Sequence, residues 1–235
     1  GLRILQISDL HGKPYGFSSR RLLRRIDELD YDVIAITGDF ISRSPVPHGL
    51  RPALRLAEQL VMRAPVYFVT GNHEAGSPQF ERLEAGLADL GVVVLRGGVM
   101  EIHVRGRDYV LLGLDDLEFF GGDMVSYTEA LIELFESAPS SGPRVLLSHR
   151  PGIFDTYVRR DVDLVLTGHV HGGLIRIPGV GGVVSPDQGL FPKYDAGLFR
   201  RDGTSMVISR GLGPTILPIR VFNRPELVVV QLGPS

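Results

Sequence analysis

One construction recurs along this chain and limits how it can fold: a short apolar run, a small residue, and then a side chain that binds metal ions readily. The runs read LRILQIS, DVIAITG, VYFVTG, RVLLS and DLVLTG. Short apolar runs that end at a turn residue are typical of buried strands. The side chains that follow them are, in chain order, Asp9 and His11, Asp39, Asn72 with His73 and Glu74, His149, and finally His169 and His171.

Strand and helix patterns alternate through the first two-thirds of the chain. Apolar residues recur at helical spacing in residues 20–29, 52–62, 80–90 and 127–135. Strand patterns occupy residues 2–7, 32–36, 66–69, 92–95, 109–112, 144–147 and 164–166. This alternation favours an α/β fold with largely parallel strands.

After residue 171 the helical patterns stop. Strand patterns at residues 175–177, 182–184, 206–209 and 227–232 are separated by glycine and proline turns. No linker or fixed repeat divides the chain. We therefore predict a single domain over residues 1–235, with a second, more antiparallel sheet built partly from the last third.

Composition excludes several classes of protein. The 235 residues contain no cysteine, which excludes disulfides, thiolate nucleophiles and thiolate metal sites. The formal net charge of −2 shows no basic surplus, so nucleic acid is not expected as a partner. No apolar run has the length of a membrane-spanning helix. The chain begins at Gly1 and enters a strand pattern at once, which predicts that a preceding segment has been removed.

The polar side chains at the strand ends predict a metal site. In parallel sheets the carboxyl ends of the strands share one edge, and ligands bind there. Imidazole and carboxylate groups together suit Mn²⁺, Zn²⁺ or Fe²⁺. The candidate ligands exceed what one tetrahedral ion needs, and two ions that share a carboxylate would use them all. We expect Gly38, Gly71 and Gly168 to permit sharp exits from the strands.

Each of these residues also has an ordinary explanation. A single histidine at a strand end is usually a hydrogen-bonded structural residue, and an aspartate after glycine is usually part of a turn or a helix cap. It is the repetition of one construction that favours a common site. His48, in a proline-rich loop, and His103, in an alternating strand, lie outside the pattern and are expected to be structural.

The set of motifs resembles the five motifs of the calcineurin-like metallophosphoesterases, in that family's order. The matching stretches are Asp9-Leu10-His11, Gly38-Asp39, Gly71-Asn72-His73-Glu74, Ser148-His149 and Gly168-His169-Val170-His171. The resemblance implies a four-layer αββα sandwich of two mixed sheets flanked by helices.

The tail narrows the resemblance to the bacterial YkuE/YaeI-like branch, which includes enzymes that cleave the pyrophosphate of UDP-2,3-diacylglucosamine. The stretches that resemble it are 189–194 (GLFPKY), 209–213 (SRGLG) and Arg224-Pro225-Glu226. Leu174 stands where this branch often has glutamine. This departure concerns the substrate and leaves the metal chemistry unchanged.

The resemblance also implies roles for the candidate residues. One ion would be held by Asp9, His11, Asp39 and His171, and the other by Asp39, Asn72, His149 and His169, with Asp39 bridging. A hydroxide between the ions would be the nucleophile. His73 would stabilise the phosphate or protonate the leaving oxygen, oriented by Asp39 or another carboxylate. Candidate substrate-binding residues are His73, Arg150, Lys193 and Arg210.

Three acidic residues have less certain roles. Glu74 is either a partner of the metal ligands or a solvated loop acid or helix cap. Asp115 and Asp116 are expected to cap a helix in preference to contacting metal or substrate.

For Arg150, a phosphate clamp and a surface salt bridge are equally favoured.

These features predict a monomeric hydrolase that uses two divalent ions to cleave a phosphodiester or pyrophosphate, such as a lipid-linked nucleotide. Three apolar clusters in loops would contact acyl chains: Phe119-Phe120, Leu190-Phe191-Pro192 and Ile216-Leu217-Pro218. The alternatives are a nuclease, a general phosphodiesterase or a protein phosphatase of the same fold, and a non-catalytic scaffold. We expect a bacterial protein that is either membrane-associated through a missing N-terminal segment or cytoplasmic.

Overall fold

The computed structural model describes residues 1–14, 19–44, 49–173, 175–185, 187–213 and 220–233. Three features of the sequence lie outside the described residues: His48, Leu174 and the apolar cluster Ile216-Leu217-Pro218.

Strands and helices alternate through most of the first two-thirds of the described residues, and only strands follow residue 158. The strands are β1 (Leu2–Ile7), β2 (Val33–Thr37), β3 (Val66–Val69), β4 (Val93–Val94), β5 (Gly98–Val104), β6 (Arg107–Gly113), β7 (Arg144–Leu147), β8 (Leu164–Thr167), β9 (Arg176–Ile177), β10 (Gly181–Gly182), β11 (Val184–Ser185), β12 (Gly189–Leu190), β13 (Gly197–Arg201), β14 (Thr204–Ile208) and β15 (Val228–Leu232). The α-helices are α1 (Arg20–Asp27), α2 (Leu50–Val61), α3 (Asn72–Ala75), α4 (Phe80–Asp89), α5 (Met124–Ser137) and α6 (Phe154–Val158). Short 3₁₀ helices span Leu117–Phe120 and Pro151–Ile153.

Two large mixed sheets organise the molecule. The first has the order β15-β1-β2-β3-β4, in which only β15 is antiparallel to its neighbour among the described strands. The second has the order β13-β14-β8-β7-β6-β5, with antiparallel pairs at both edges and parallel strands between them. The second sheet is therefore the more antiparallel, as predicted.

Alternate residues of each strand enter different apolar layers. In β1, Leu2 and Ile4 pack between the two sheets, whereas Leu5 and Ile7 pack against α1, α2 and α4. Strands of the second sheet likewise contact the first sheet with one face and α5 and α6 with the other. Strands buried on both faces explain why these segments read as continuous apolar runs. The predicted four-layer αββα sandwich is confirmed.

The C-terminal third contributes to both sheets, because β13 and β14 lie in the second sheet and β15 pairs with β1 in the first. It departs from the prediction in two ways. The strands predicted near residues 175–184 are shorter and form two small hairpins, β9–β10 and β11–β12, outside both sheets. The edge strand β13 was not predicted, because its sequence GLFRR lacks an apolar alternation. No described helix combines the length and apolar character that crossing a membrane requires.

Hydrogen bonds join the two sheets at the edge where the metal-site motifs emerge. Gln6, which is fully buried in β1, donates from Nε2 to Thr37 Oγ1 at 3.0 Å in β2 and to the Thr167 carbonyl at 2.8 Å in β8. His149 Nδ1 lies 2.8 Å from the Thr37 carbonyl and crosses the same boundary. These bonds fix the carboxyl ends of β2 and β8 relative to each other.

The glycines at the strand ends serve two different purposes. Gly38 has a φ of +86°, so it makes the sharp exit that was predicted for it. Gly71 and Gly168 do not adopt positive φ, so that expectation was wrong for them. A Cβ at Gly71 would overlap Asp39, and one at Gly168 would overlap Ser8 and Asp9. At these two positions glycine is needed because another chain segment approaches closely.

Glu74 holds the loops after β2 and β3 together. Its carboxylate is fully buried and accepts the backbone N–H groups of Asp39 at 2.8 Å, Ile41 at 3.0 Å and Gly71 at 2.7 Å. Burial raises the pKa of Glu74 to about 8, and the charge of Asp39 acts in the same direction. Glu74 is therefore a buried partner of the site, and by accepting the Gly71 N–H it also caps α3. The alternative of a solvated loop acid was wrong.

We predict that Glu74→Ala lowers the free energy of unfolding by about 3 kcal/mol or more. Three buried N–H groups would lose their acceptor, and each unsatisfied donor costs about 1–3 kcal/mol. Denaturant unfolding of the metal-free protein measures this. Glu58→Ala, at an exposed position of α2, is the control and should change stability by less than about 0.5 kcal/mol. Equal stability of the two variants would contradict this role for Glu74.

Candidate metal centre

Two groups of side chains converge at the carboxyl edge of the sheets. Asp9, His11, Asp39 and His171 form the first group, and Asp39, His149 and His169 form the second. Within each group the potential ligand atoms lie within 4.8 Å of one another. The side chain of Asp39 belongs to both groups. The structure thus brings together residues from four of the five motifs, and their assignment as metal ligands stays a prediction.

Five of these residues have a left-handed backbone. The φ angles are +51° at Asp9, +52° at His11, +52° at Asp39, +70° at His169 and +50° at His171. This conformation costs a non-glycine residue about 1–2 kcal/mol, although Asp and His tolerate it better than most. Strain of this kind clusters at functional sites and persists only where surrounding contacts impose it.

Hydrogen bonds between the loops impose this backbone. The N–H of Asp9 donates to the Gly38 carbonyl at 3.0 Å, and that of His11 donates to the Asp39 carbonyl at 2.8 Å. The N–H of His169 donates to the Asp9 carboxylate at 3.1 Å. The strained loops after β1, β2 and β8 therefore support one another.

The first group has the spacing of ligands around one ion. Nε2 of His11 lies 3.1 Å from Nε2 of His171, which lies 3.4 Å from Oδ1 of Asp9. Nε2 of His11 is 3.8 Å from Oδ2 of Asp39. Two ligands about 2.1 Å from a tetrahedral ion stand roughly 3.4 Å apart. Imidazole nitrogens that face each other at this distance fit a shared cation.

The histidines of the second group also have ring nitrogens that could bind an ion. The Nδ1–H of His149 donates to a carbonyl, so in the neutral ring Nε2 carries a lone pair. That Nε2 is buried, has no hydrogen-bond partner among the described residues, and lies 3.4 Å from Asp39 Oδ2. Nδ1 of His169 lies 2.9 Å from Oδ1 of Asn72, which adds the amide that the sequence predicted.

The charges of Asp39 and His149 depend on each other. Burial alone raises the pKa of Asp39, but His149, His11 and His73 hold that pKa well below its usual range. Burial lowers the pKa of His149, but the attraction of Asp39 outweighs it and raises the pKa to about 10. A divalent cation that replaced this proton would keep Asp39 neutralised and take the Nε2 lone pair.

In the first group, burial favours the neutral form of the histidines. Burial lowers the pKa of His11 to about 4, against the attraction of Asp39. Burial and the neighbouring His11 lower the pKa of His171 well below its usual range. Burial also raises the pKa of Asp9 to about 6. Neutral imidazoles and partly neutralised carboxyls in a buried cluster are suited to a cation, which restores the carboxylate charge.

His73 lies beside both groups but is held differently from the prediction. Its Nε2 is 3.9 Å from Asp39 Oδ2, and its ring packs edge-on against His11 at 4.5 Å. The carboxylate of Asp39 accepts the backbone N–H of His73 and not its ring. The ring is oriented by the backbone N–H of Arg43, which donates to Nδ1 at 3.2 Å. Because Nδ1 accepts, the neutral ring carries its proton on Nε2.

Arg150 makes an ion-pair network at the rim of the site. Its guanidinium binds Asp116 through two nitrogens, at 2.9 and 3.0 Å, and also pairs with Glu118 and Asp187. Asp116 caps the 3₁₀ helix Leu117–Phe120, as expected, by accepting the N–H of Glu118. Asp115 does not cap this helix. It accepts from Thr70 and from Arg96.

The other predicted residues lie farther from the two groups. Arg210 packs beside Gly172, but its guanidinium pairs with Glu226. Lys193 is exposed, with its ammonium 4.7 Å from the ring centre of Tyr194. His103 pairs with Asp108 across the β5–β6 hairpin and belongs to neither group.

The apolar clusters differ in exposure. Phe119 packs on Phe80 and Phe120 packs on Tyr127, so both rings have internal partners. In contrast, Leu190 is 71% exposed and Phe191 is 62% exposed.

Sequence reasoning missed several residues that contact the site. Arg43 holds His73, Asp187 contacts His169 Nε2 at 2.6 Å, and Asn223 donates to the His171 carbonyl at 2.7 Å. Arg220 Nη2 lies 3.3 Å from His171 Nδ1, and the Ser8 hydroxyl donates to Asp9 at 2.6 Å. Asp187 lies in a segment without a recognisable motif, whereas Asn223 directly precedes the Arg224-Pro225-Glu226 stretch. Arg43 lies four residues after Asp39, and this closeness to a motif could have marked it as a candidate.

Comparison with known proteins agrees with this geometry. The model of the calcineurin-like phosphoesterase family matches residues 2–173. The metallophosphoesterase YkuE of Bacillus subtilis is 28% identical over 99% of this chain and 79% of its own length. Phosphodiesterase YaeI of Escherichia coli is 26% identical over 98% of this chain and 82% of its own.

A solved structure, TT1561 of Thermus thermophilus, shares the fold with a TM-score of 0.59. It is 14% identical and is matched over 90% of this chain and 91% of its own. The family match covers most of the chain, and the Asp and His clusters stand at its motifs. The chain belongs to the calcineurin-like phosphoesterase family and is a metal-dependent phosphoesterase.

Proposed function

We propose that this protein binds two divalent ions, Mn²⁺, Zn²⁺ or Fe²⁺, and hydrolyses a phosphodiester or pyrophosphate bond. The observation that carries the proposal is the sharing of buried Asp39 by two groups of potential ligands. Asp9, His11, Asp39 and His171 would hold one ion, and Asp39, Asn72, His149 and His169 the other. Two such ions lower the pKa of bound water and neutralise charge on a phosphate.

His73 is the proposed general acid. Its Nε2, the nitrogen that carries the proton in the neutral ring, lies on the side of the ring that faces Asp39. Burial lowers the pKa of His73, although the attraction of Asp39 opposes this. A neutral imidazole with a fixed Nε2–H can donate to a phosphate oxygen or to the leaving oxygen. The side chain is partly exposed, so a substrate can reach it.

Asp39 has a positioning role besides holding ions. Its Oδ1 accepts the N–H of His73 at 2.8 Å, so the same carboxylate fixes the backbone of the proposed acid. The proposed acid and the ligands therefore share one anchor. A shift of Asp39 would misplace both.

Arg150, Lys193 and Arg210 are the proposed substrate-binding cations. Arg150 is held at the rim near His169 by Asp116 and Asp187, and Arg210 stands beside the Gly172 turn that follows His171. Guanidinium groups suit phosphate oxygens because they present paired donors. Lys193 lies just after the exposed Leu190-Phe191 pair.

A lipid-linked pyrophosphate such as UDP-2,3-diacylglucosamine is the proposed substrate class, acted on at a membrane surface. Exposed apolar side chains from two chain segments support it. Ile175 bridges Val221, and backbone hydrogen bonds link Ile175 to Val183 and Val183 to Phe191. Phe222, also exposed, precedes Asn223, which holds the His171 loop. Apolar surface of this kind, next to a catalytic edge, can contact acyl chains.

The alternatives receive less support. A nuclease would favour a basic track, and the chain has a formal net charge of −2. A non-catalytic scaffold does not need the strained backbone and the held His73 seen here. A general phosphodiesterase is the alternative that the substrate experiment below addresses.

We predict two ions per chain at saturation, and we predict that Asp39→Asn weakens both sites. Mutation of a residue that only orients ligands typically lowers metal affinity about 10–100-fold, and loss of a shared carboxylate should lower it more. Elemental analysis and titration calorimetry with Mn²⁺ measure this. Asp108→Asn, which removes the carboxylate of an exposed His–Asp pair outside the site, is the control. One ion in fully active, saturated protein would refute the binuclear site.

We predict that His73→Ala retains both ions and loses about 10²–10⁴-fold in kcat, the usual contribution of a general acid. The defect should be smaller for nitrophenyl esters, because a good leaving group needs less protonation. His103→Ala, an exposed histidine paired with Asp108, is the control and should be fully active. Wild-type turnover of every substrate by His73→Ala would remove His73 from the mechanism.

We predict that UDP-diacylglucosamine is cleaved more efficiently than its de-acylated analogue and than bis-nitrophenyl phosphate, in detergent and with liposomes. Phe191→Ser should lower kcat/KM for the acylated substrate alone by about 10-fold, since burial of a large apolar side chain contributes about 1.5–3 kcal/mol. Met62→Ser is the control, because Met62 is also exposed but lies at the C-terminal end of α2. Equal efficiency on acylated and de-acylated substrates would leave a general phosphodiesterase.

A further inference from the structure

Asp187 contacts a candidate metal ligand from outside both groups. It follows β11 and precedes β12, with a φ of +63°. Its Oδ2 lies 2.6 Å from Nε2 of His169 and also pairs with Nη1 of Arg150. Among the described residues, Asp187 supplies the carboxylate that forms a hydrogen bond with Nε2 of His169.

The contact decides which nitrogen of His169 faces the site. A carboxylate is a stronger hydrogen-bond acceptor than an amide oxygen, so in the neutral ring the proton is held on Nε2 toward Asp187. Nδ1 then presents its lone pair beside the Asn72 oxygen at 2.9 Å. Without Asp187 the proton can move to Nδ1, where it would donate to Asn72 and occupy the position needed for an ion.

Asp187 is itself held in place. Arg150 is fixed by its two-nitrogen contact with Asp116, and its carbonyl accepts the hydroxyl of buried Tyr157 at 2.9 Å. The guanidinium therefore offers Asp187 a fixed partner at Oδ2, the same oxygen that contacts His169. A carboxylate anchored in this way restricts the rotation of the imidazole as well as its protonation.

The same residues border a cavity of about 310 Å³ next to the site. Leu117, Ile153 and Val170 supply apolar walls, while Arg150, His169 and Asp187 supply polar ones. Asp187 thus stands where the β11–β12 turn meets this cavity. Because Asp187 contacts His169, a substitution at Asp187 removes a hydrogen-bond partner of the His169 ring.

We propose that Asp187 is a positioning residue that orients His169 and fixes its proton on Nε2, so that Nδ1 is available to a divalent ion. The proposal rests on the proposed function in that His169 is taken as a ligand. Carboxylates that accept the distal N–H of a ligating histidine set its tautomer and raise its basicity. Loss of such a partner typically lowers metal affinity about 10–100-fold.

The test compares Asp187→Asn and Asp187→Ala with the wild type by calorimetric titration of the metal-free protein with Mn²⁺. We expect one of the two sites to weaken about 10–100-fold and the other to stay unchanged. Asp195→Asn is the matched control, because Asp195 also pairs with an arginine and accepts a backbone N–H in the same region without contacting a proposed ligand. Its Mn²⁺ affinity should equal that of the wild type. Circular dichroism and thermal unfolding establish that each variant is folded.

A second measurement does not require metal. Nitrogen-15 NMR of the histidine side chains, at a pH at which His169 is neutral, reports which ring nitrogen carries the proton. We expect Nε2–H in the wild type and a shift toward Nδ1–H in both Asp187 variants. Unchanged tautomer and unchanged Mn²⁺ affinity in folded variants would overturn the role of Asp187. If the wild type bound no Mn²⁺, the proposed function would fail, while the tautomer comparison would still decide what Asp187 does.

Discussion

The buried carboxylate of Asp39 is the group on which the architecture of this site depends. A carboxylate taken out of water is costly unless charges and hydrogen-bond donors surround it. Here His149 and His11 attract it, the N–H of His73 donates to it, and glycine at position 71 leaves it room. Its own N–H is bound by Glu74. Glu74 accepts the N–H of Asp39, and Asp39 accepts the N–H of His73, so the loops after β2 and β3 form one unit.

The two-sheet sandwich is what allows a single carboxylate to belong to two groups of potential ligands. Asp9 and Asp39 follow strands of the first sheet, whereas His149, His169 and His171 follow strands of the second. The groups therefore meet only because the apolar layer between the sheets and the bonds of Gln6 and His149 hold both carboxyl edges in register. Close-packed layers deform little, which suits a site whose ligands must stay in fixed positions.

The surroundings of the site divide into two sides. On one side, Arg43 and Glu74 fix His73 and Asp39 through the backbone, which keeps the proposed acid in place. On the other side, the small hairpins carry Asp187 and the exposed Leu190 and Phe191. The rigid side supports the chemistry that the family shares. The hairpin side is built from short strands outside the main sheets and carries exposed apolar side chains, but through Asp187 it also contacts His169.

The sequence by itself predicted most strands of the two sheets and the residues that gather at their edge, because apolar runs and strand-end motifs are local patterns. The four-layer sandwich followed from the resemblance of these motifs to a known family. The sequence also favoured two ions over one, since the ligands outnumber one ion's needs. The tertiary structure decided what depends on contacts between distant segments: that Gly71 and Gly168 make room for Asp39 and Asp9, and that β15 joins the first sheet. It also decided that an arginine N–H orients His73, and that Asp187 reaches His169. No periodicity encodes such contacts, because each joins side chains whose neighbours in the sequence do not take part.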